Sequence, residues 1–278
     1  MEQLVAFSRK YGSDPELVVA GGGNTSMKEN GVLYVKGSGV ALADVTAKDF
    51  VALDLDKLMA VTEKAYPEED AAREAAFLKD ILAARLPGEE AKRPSVETLL
   101  HALFPYRYVL HLHPDLVNGL TCAAGGEKAA AELFPEAAWV GESKPGYTLA
   151  MSLKTKIDAG ADTVLLQNHG VFYAADTPEK LADMLQSMLD RLHRAVEERY
   201  DPSKDIPPSL EHPFTPDQIG YCGVGPDLPD TEQAAIVWKS TENIAHYAAS
   251  FGGQRPLSGW LASFIMNWEA ERYRGMNV

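Results

Sequence analysis

The stretch Tyr108-Val109-Leu110-His111-Leu112-His113-Pro114 decides how the rest of the chain is read. Its alternation and its aromatic and β-branched start predict a strand, which Pro114 ends because proline has no N–H to continue the ladder. Side chains at i and i+2 of a strand point to the same face, so His111 and His113 can converge on one ion. The same H-x-H spacing also suits two histidines lining a polar sheet face, and it does not by itself name a third ligand.

Working outward, Thr163 to Gln167 (TVLLQ) and Val171 to Ala174 (VFYA) read as buried strands around Asn168-His169-Gly170. His169 therefore lies at a strand end, 58 residues (169 − 111) after His111. Three imidazoles would leave a coordination position open for substrate or water, as catalytic zinc sites do. Upstream, residues 1–11 read as a helix with Leu4, Phe7 and Tyr11 near one face and Gly12 available to end it. GGGNTS (21–26) is a glycine-rich turn and Val32 to Lys36 is extended. A helix is expected from Glu68 to Leu86, with Leu78, Ile81, Leu82 and Leu86 on its apolar stripe. PGEEAKRP (87–94) is a loop, and SVETLLHALF should open a helix capped by Ser95. Helical readings also follow Asp115, span Tyr147 to Ala159, and run from Pro178 to about Arg199. Five prolines between 201 and 216 mark a boundary, giving a domain at 1–200 and an extension at 201–278. That extension carries helical segments around Thr231–Ser250 and Trp260–Tyr273. The mixture of strands and helices gives an α/β layered domain.

A length of 278 residues with 46% hydrophobic and 24% charged residues is that of an ordinary globular protein of one or two domains. The net charge of −14 argues against nucleic acid or an anionic membrane as partner. No apolar run approaches the ~18 residues of a membrane span. The start MEQLVAFSRKYG has no secretory pattern, and Cys122 and Cys222 form no disulfide framework or metal-ligand spacing. A cytoplasmic location is expected. The same negative field would repel a phosphorylated substrate, which would need a local trap of metal, N–H groups and hydroxyls.

Five motifs in order, GGGNTS (21–26), GSG (37–39), PSVE (94–97), HLHP (111–114) and QNHG (167–170), resemble those of the class II aldolase/adducin family over about residues 1–200. That family includes fuculose- and rhamnulose-phosphate aldolases, ribulose-phosphate 4-epimerase and methylthioribulose-phosphate dehydratase. The resemblance implies a layered α/β fold, with a central, mostly antiparallel sheet flanked by helices and here a helical C-terminal extension packed on or between subunits. It implies zinc or another divalent metal on His111, His113 and His169, and a tetramer. Glu97 takes the place of the family's proton-moving glutamate, although alone it reads as an acidic residue in a helix's first turn. Asn24, Ser38, Gly39 and Ser95 take the places that hold the substrate phosphate. The glycine turns and the expected helix start at Ser95 could supply N–H donors there. Val96 departs from the pattern, standing where phosphate-binding members carry a second hydroxyl. Lys36 stands where a small polar residue is usual, either compensating for that loss or solvated.

The resemblance points to a lyase that cleaves a ketose 1-phosphate by way of an enediolate. Epimerisation, dehydration or decarboxylation of a sugar or sugar-acid phosphate would use the same ligands and base. A non-catalytic, adducin-like module is disfavoured because the three histidines and Glu97 are all kept. His101 reads as a packing or surface residue, His193 and His212 as solvated, and His246 as remote from the site. The segment FTPDQIGYC (214–222) is similar to part of the longer aldolase domains of rhamnulose-phosphate aldolase/dehydrogenase fusions, but no G-x-G-x-x-G fingerprint occurs. Tyr147 and Tyr221 are candidate proton donors without a recognisable motif, and neither is assigned that role.

Overall fold

The computed structural model describes residues 1–19, 21–209, 211–219 and 232–268. Tyr221, Cys222 and the stretch expected to carry the last helix on to Tyr273 lie outside the described residues.

Seven strands form one sheet: β1 (Asn24–Glu29), β2 (Val32–Lys36), β3 (Phe50–Asp54), β4 (Tyr108–Leu112), β5 (Ala138–Val140), β6 (Thr163–Leu166) and β7 (Gly170–Ala175). Their order is β3-β2-β1-β4-β7-β6-β5. Every pairing is antiparallel except that of β5 with β6. The sheet is therefore mostly antiparallel, as expected. Ten helices are described: α1 (Glu2–Gly12), α2 (Leu55–Val61), α3 (Asp70–Ala83), α4 (Thr98–Leu103), α5 (Asp115–Thr121), α6 (Gly126–Leu133), α7 (Tyr147–Asp158), α8 (Pro178–Arg199), α9 (Glu232–Ala248) and α10 (Gly259–Asn267). No described helix is long and apolar enough to cross a membrane.

Both sheet faces are covered. One apolar layer gathers α1, α5, α6 and α8 against Tyr108, Leu110, Leu112, Val171 and Tyr173. The other gathers α2, α3, α4 and α7 against Val109, Phe172 and Ala174. Alternate residues of β4 and β7 thus enter opposite layers, as strand geometry requires. Burial on both faces explains why polar residues in the middle of the sheet are few and need partners.

Three expectations shift. The helix expected over 68–86 spans Asp70–Ala83 and buries Glu74, Phe77 and Ile81, so its inward stripe lies next to the one read from Leu78 and Leu82. The helix expected to open at Ser95 starts at Thr98, because a turn comes first in which the Ser95 hydroxyl accepts the Glu97 N–H at 3.2 Å and Ser95 O accepts the Thr98 N–H. Gly12 belongs to α1 and does not end it by adopting a left-handed conformation. It is glycine because a Cβ there would sit 2.4 Å from Ala43 N and Leu42 C. The short strands β3 and β5 escape a reading based on hydrophobic periodicity.

The two effects at Gly12 oppose each other, and their sizes decide the outcome. Glycine to alanine in a helix interior gains about 1 kcal/mol in propensity. Crowding a fixed backbone costs about 1–3 kcal/mol. Gly12→Ala is expected to lower the urea midpoint, and a raised midpoint would show that α1 does not seat this closely on Leu42 and Ala43.

Candidate metal centre

The sheet register builds the site. Asn24 of β1 and Phe172 of β7 are the cross-strand neighbours of His111, placing all three in one row on one face. The Phe172 ring stacks on the His111 ring, with centroids 4.0 Å apart. His113 follows two residues on and faces the same way. His169 is carried by the β6–β7 turn, where Asn168 has φ 57° and Gly170 φ 153°. A side chain at Gly170 would meet Leu112 O at 2.4 Å, so this turn can lie against β4 only as glycine. The ligand atoms of His111, His113 and His169 all fall within 4.8 Å of one another.

Hydrogen bonding fixes which ring nitrogens face inward. Val171 O can only accept, so His111 Nδ1–H donates to it at 3.0 Å. His113 Nδ1–H donates to the Asp217 carboxylate. Both Nε2 atoms therefore present lone pairs, and they lie 2.8 Å apart. Glu97 Oε1, buried and accepting no hydrogen bond, lies 3.2 Å from His111 Nε2 and 3.3 Å from His169 Nε2. Three imidazole nitrogens and a carboxylate oxygen brought this close together make a donor set that fits a divalent metal. Burial pushes the His169 ring down to about 3, leaving it in the neutral form that ligates.

The other Glu97 oxygen ends a chain of hydrogen bonds. Asn24 Nδ2 donates to Oε2 at 2.6 Å, His101 Nε2–H donates to Asn24 Oδ1, and His101 Nδ1 lies 2.8 Å from Ser26 Oγ, accepting its proton. His101 is fully buried on this face, so reading it as a packing or surface residue misses its connection to Glu97. A usable signal was present: Glu97 and His101 are four apart, one turn of helix. No comparable signal marks Asp217, 104 residues from His113.

Lys36, Ser38, Gly39, Ser95 and Val96 line a cavity beside the histidines together with Asn24. Lys36 is 5% exposed, so it is a wall of this cavity and not a solvated residue. The N–H groups of Gly37, Ser38 and Ser95 donate to Asp49 O, Arg93 O and Lys36 O. A helix of six residues starting at Thr98 offers no terminus at Ser95 either. Polar recognition in this cavity falls chiefly to side chains. His193 and His212 are exposed, and His246 pairs with Asp205 at 2.8 Å. Tyr147 packs against Tyr66 and Phe77.

Three histidines gathered beyond one end of β4 and β6 thus form a group that could hold a metal ion. The family described as Class II Aldolase and Adducin N-terminal domain matches residues 2–195, and the chain belongs to it. Over 212 residues it is 32% identical to the protein of Bacillus subtilis (strain 168) described as uncharacterized oxidoreductase YuxG, a match covering 72% of this chain. The chain spans only 30% of that relative's length. The N-terminal class II aldolase domain of a conserved protein from Thermoplasma acidophilum is similar in structure at 30% identity, with TM-score 0.60, covering 69% of this chain and 91% of that one. YgbL from Klebsiella pneumoniae shares the fold at 16% identity, with TM-score 0.50, over 69% of this chain and 86% of its own.

The His101 ring is held neutral, pushed by burial from 6.5 down to about 3. Between those values the unfolded chain binds the extra proton, so this residue's contribution favours unfolding increasingly as pH falls from 6.5 towards 3 and is absent above 6.5. At pH 5 that amounts to about 2 kcal/mol. His101→Phe is expected to flatten this part of the stability–pH curve. Above pH 7 it should cost about 1–3 kcal/mol, because Asn24 Oδ1 loses its donor. Urea titrations at pH 5 and pH 8 read both effects, and an unchanged slope would remove His101 from the buried neutral set.

Proposed function

We propose that the chain is a zinc-dependent class II aldolase that cleaves a ketose 1-phosphate of the rhamnulose or fuculose type to dihydroxyacetone phosphate and an aldehyde. The observation that carries this reading is the convergence of Glu97 Oε1 on the His111, His113 and His169 imidazoles, whose ligand atoms lie within 4.8 Å of one another. His111, His113 and His169 would hold the ion. Bound there, it would supply Lewis acidity to the oxygens of a hydroxy-ketone. Glu97 takes the hydroxyl proton as the carbon–carbon bond breaks and the electron pair passes into the former carbonyl group. A proton is then returned to the carbon that lost its bond, which restores the carbonyl group before release. Asn24 orients the carboxylate for this by engaging its second oxygen.

The substrate's anionic end is assigned to Ser38, Gly39, Ser95 and Asn24, with Lys36 as the local cation that offsets a chain charge of −14. Lys36 in the wall supports an acidic substrate even though Val96 lacks the hydroxyl usual at its place. A soluble tetramer in the cytoplasm is the setting this reading assumes.

Glu97→Gln is expected to keep the fold but to lose about 10²–10⁴-fold in turnover, because the amide cannot move the proton. A variant within a factor of two of wild type on a panel of ketose phosphates would place the base elsewhere. His111→Ala combined with His113→Ala should abolish zinc retention by elemental analysis. For the anionic end, Ser95→Ala should raise KM about ten- to hundredfold with kcat little changed, as for a hydrogen bond to a charged oxygen kept in ground and transition states. Inorganic phosphate should compete with substrate, and indifference to it would direct the search to free ketoses and sugar acids.

A further inference from the structure

We infer that Asp217 is a positioning residue for the metal centre, so that the segment after the family domain completes a site whose ligands all lie within that domain. This rests on the metal reading above. Asp217 is 4% exposed, and its carboxylate accepts the Nδ1–H of His113. Its partner is the histidine whose Nε2 stands 2.8 Å from that of His111. A carboxylate on the outer nitrogen fixes the ring's tautomer and rotation and makes the inner nitrogen a stronger donor to a cation. His111 has only the neutral Val171 carbonyl in the equivalent place. The anionic partner therefore distinguishes His113.

The contact is built, not incidental. Asp217 sits in the 3-10 turn Pro216–Gln218, closed by a capping box in which Thr215 and Gln218 satisfy each other. Gln218 Oε1 also accepts the Phe214 N–H at 2.8 Å. Phe214 is fully buried with Cys122, Ile244 and Ala245, and its carbonyl accepts from Asn168 Nδ2 at 3.0 Å. The turn is thus anchored to α9 and to the loop that carries His169. Opposite it, Gly22 makes the room: a Cβ there would fall 2.8 Å from Asp217 Oδ2 and 2.9 Å from His113 Nδ1. The family match ends at residue 195, so this carboxylate comes from outside it. A fold-stabilising ion pair would need only the pairing. The direction of the ring, with its other nitrogen in the cluster, is what a metal ligand needs.

The test is zinc and cobalt affinity of the full chain by competition with a chromophoric chelator, with the Co2+ d–d spectrum as a second readout. Asp217→Asn keeps shape and an acceptor but loses the charge, and should weaken binding about tenfold; Asp217→Ala should weaken it up to about a hundredfold. Both should shift the cobalt bands. Asp205→Asn, which alters another carboxylate of the same extension, should leave affinity and spectrum unchanged. If Asp217→Ala loses its fold by circular dichroism, the isosteric Asp217→Asn alone decides. Affinity within twofold of wild type with an unshifted spectrum, or an equal loss in Asp205→Asn, overturns the inference while leaving the metal reading standing. A wild-type chain that binds neither ion at micromolar concentration overturns both.

Discussion

The gathering of three imidazoles and one carboxylate into a single cluster is the constraint on which the rest of this structure depends. Two Nε2 atoms 2.8 Å apart, with Glu97 Oε1 3.2 Å from that of His111, need a rigid support. What holds them is the sheet. His111 lies in the central strand pair, paired on both sides, with the Phe172 ring against it and Val171 O fixing its far nitrogen. Two covered sheet faces give that row little room to relax.

From this follows an unequal division of labour among the residues of the cluster. The β4 histidines are set by strand parity, which tolerates few alternatives. His169 is set by a turn that depends on Asn168 in the left-handed region and on Gly170 lying against Leu112 O. Glu97 is set neither by strand nor by helix, since it precedes α4 by one residue. Its orientation comes from Asn24, which His101 and Ser26 orient in turn. The hydrogen-bond chain does for the carboxylate what backbone geometry does for the imidazoles.

The same division explains what the sequence discloses. His111 and His113 can be read from YVLHLH because the i, i+2 relation survives any strand twist, and α8 can be read because Thr177-Pro178 and a long amphipathic run announce it. His169 and Glu97 become legible only through ordered family motifs, because no local rule joins residues so far apart. His101 does pack in the interior, one of the two alternatives that LLHALF offers, but only the strand opposite reveals its polar partners. The face of α3 is misjudged because its buried stripe includes Glu74, which a hydrophobic count skips. Asp217 is invisible in a proline-rich stretch that reads as a boundary.

The distance along the chain between His113 and Asp217 bears on how the protein is made. At ordinary ribosomal speeds the 104 residues between them take about 5–20 s to synthesise. Throughout that interval the emerging chain already displays the H-x-H pair, while His169 and then the carboxylate have still to appear. Until the carboxylate arrives, nothing charged fixes the outer nitrogen of His113. The pairing of His113 with a carboxylate is therefore acquired late in biosynthesis, once the strap bearing Asp217 has docked beside Gly22.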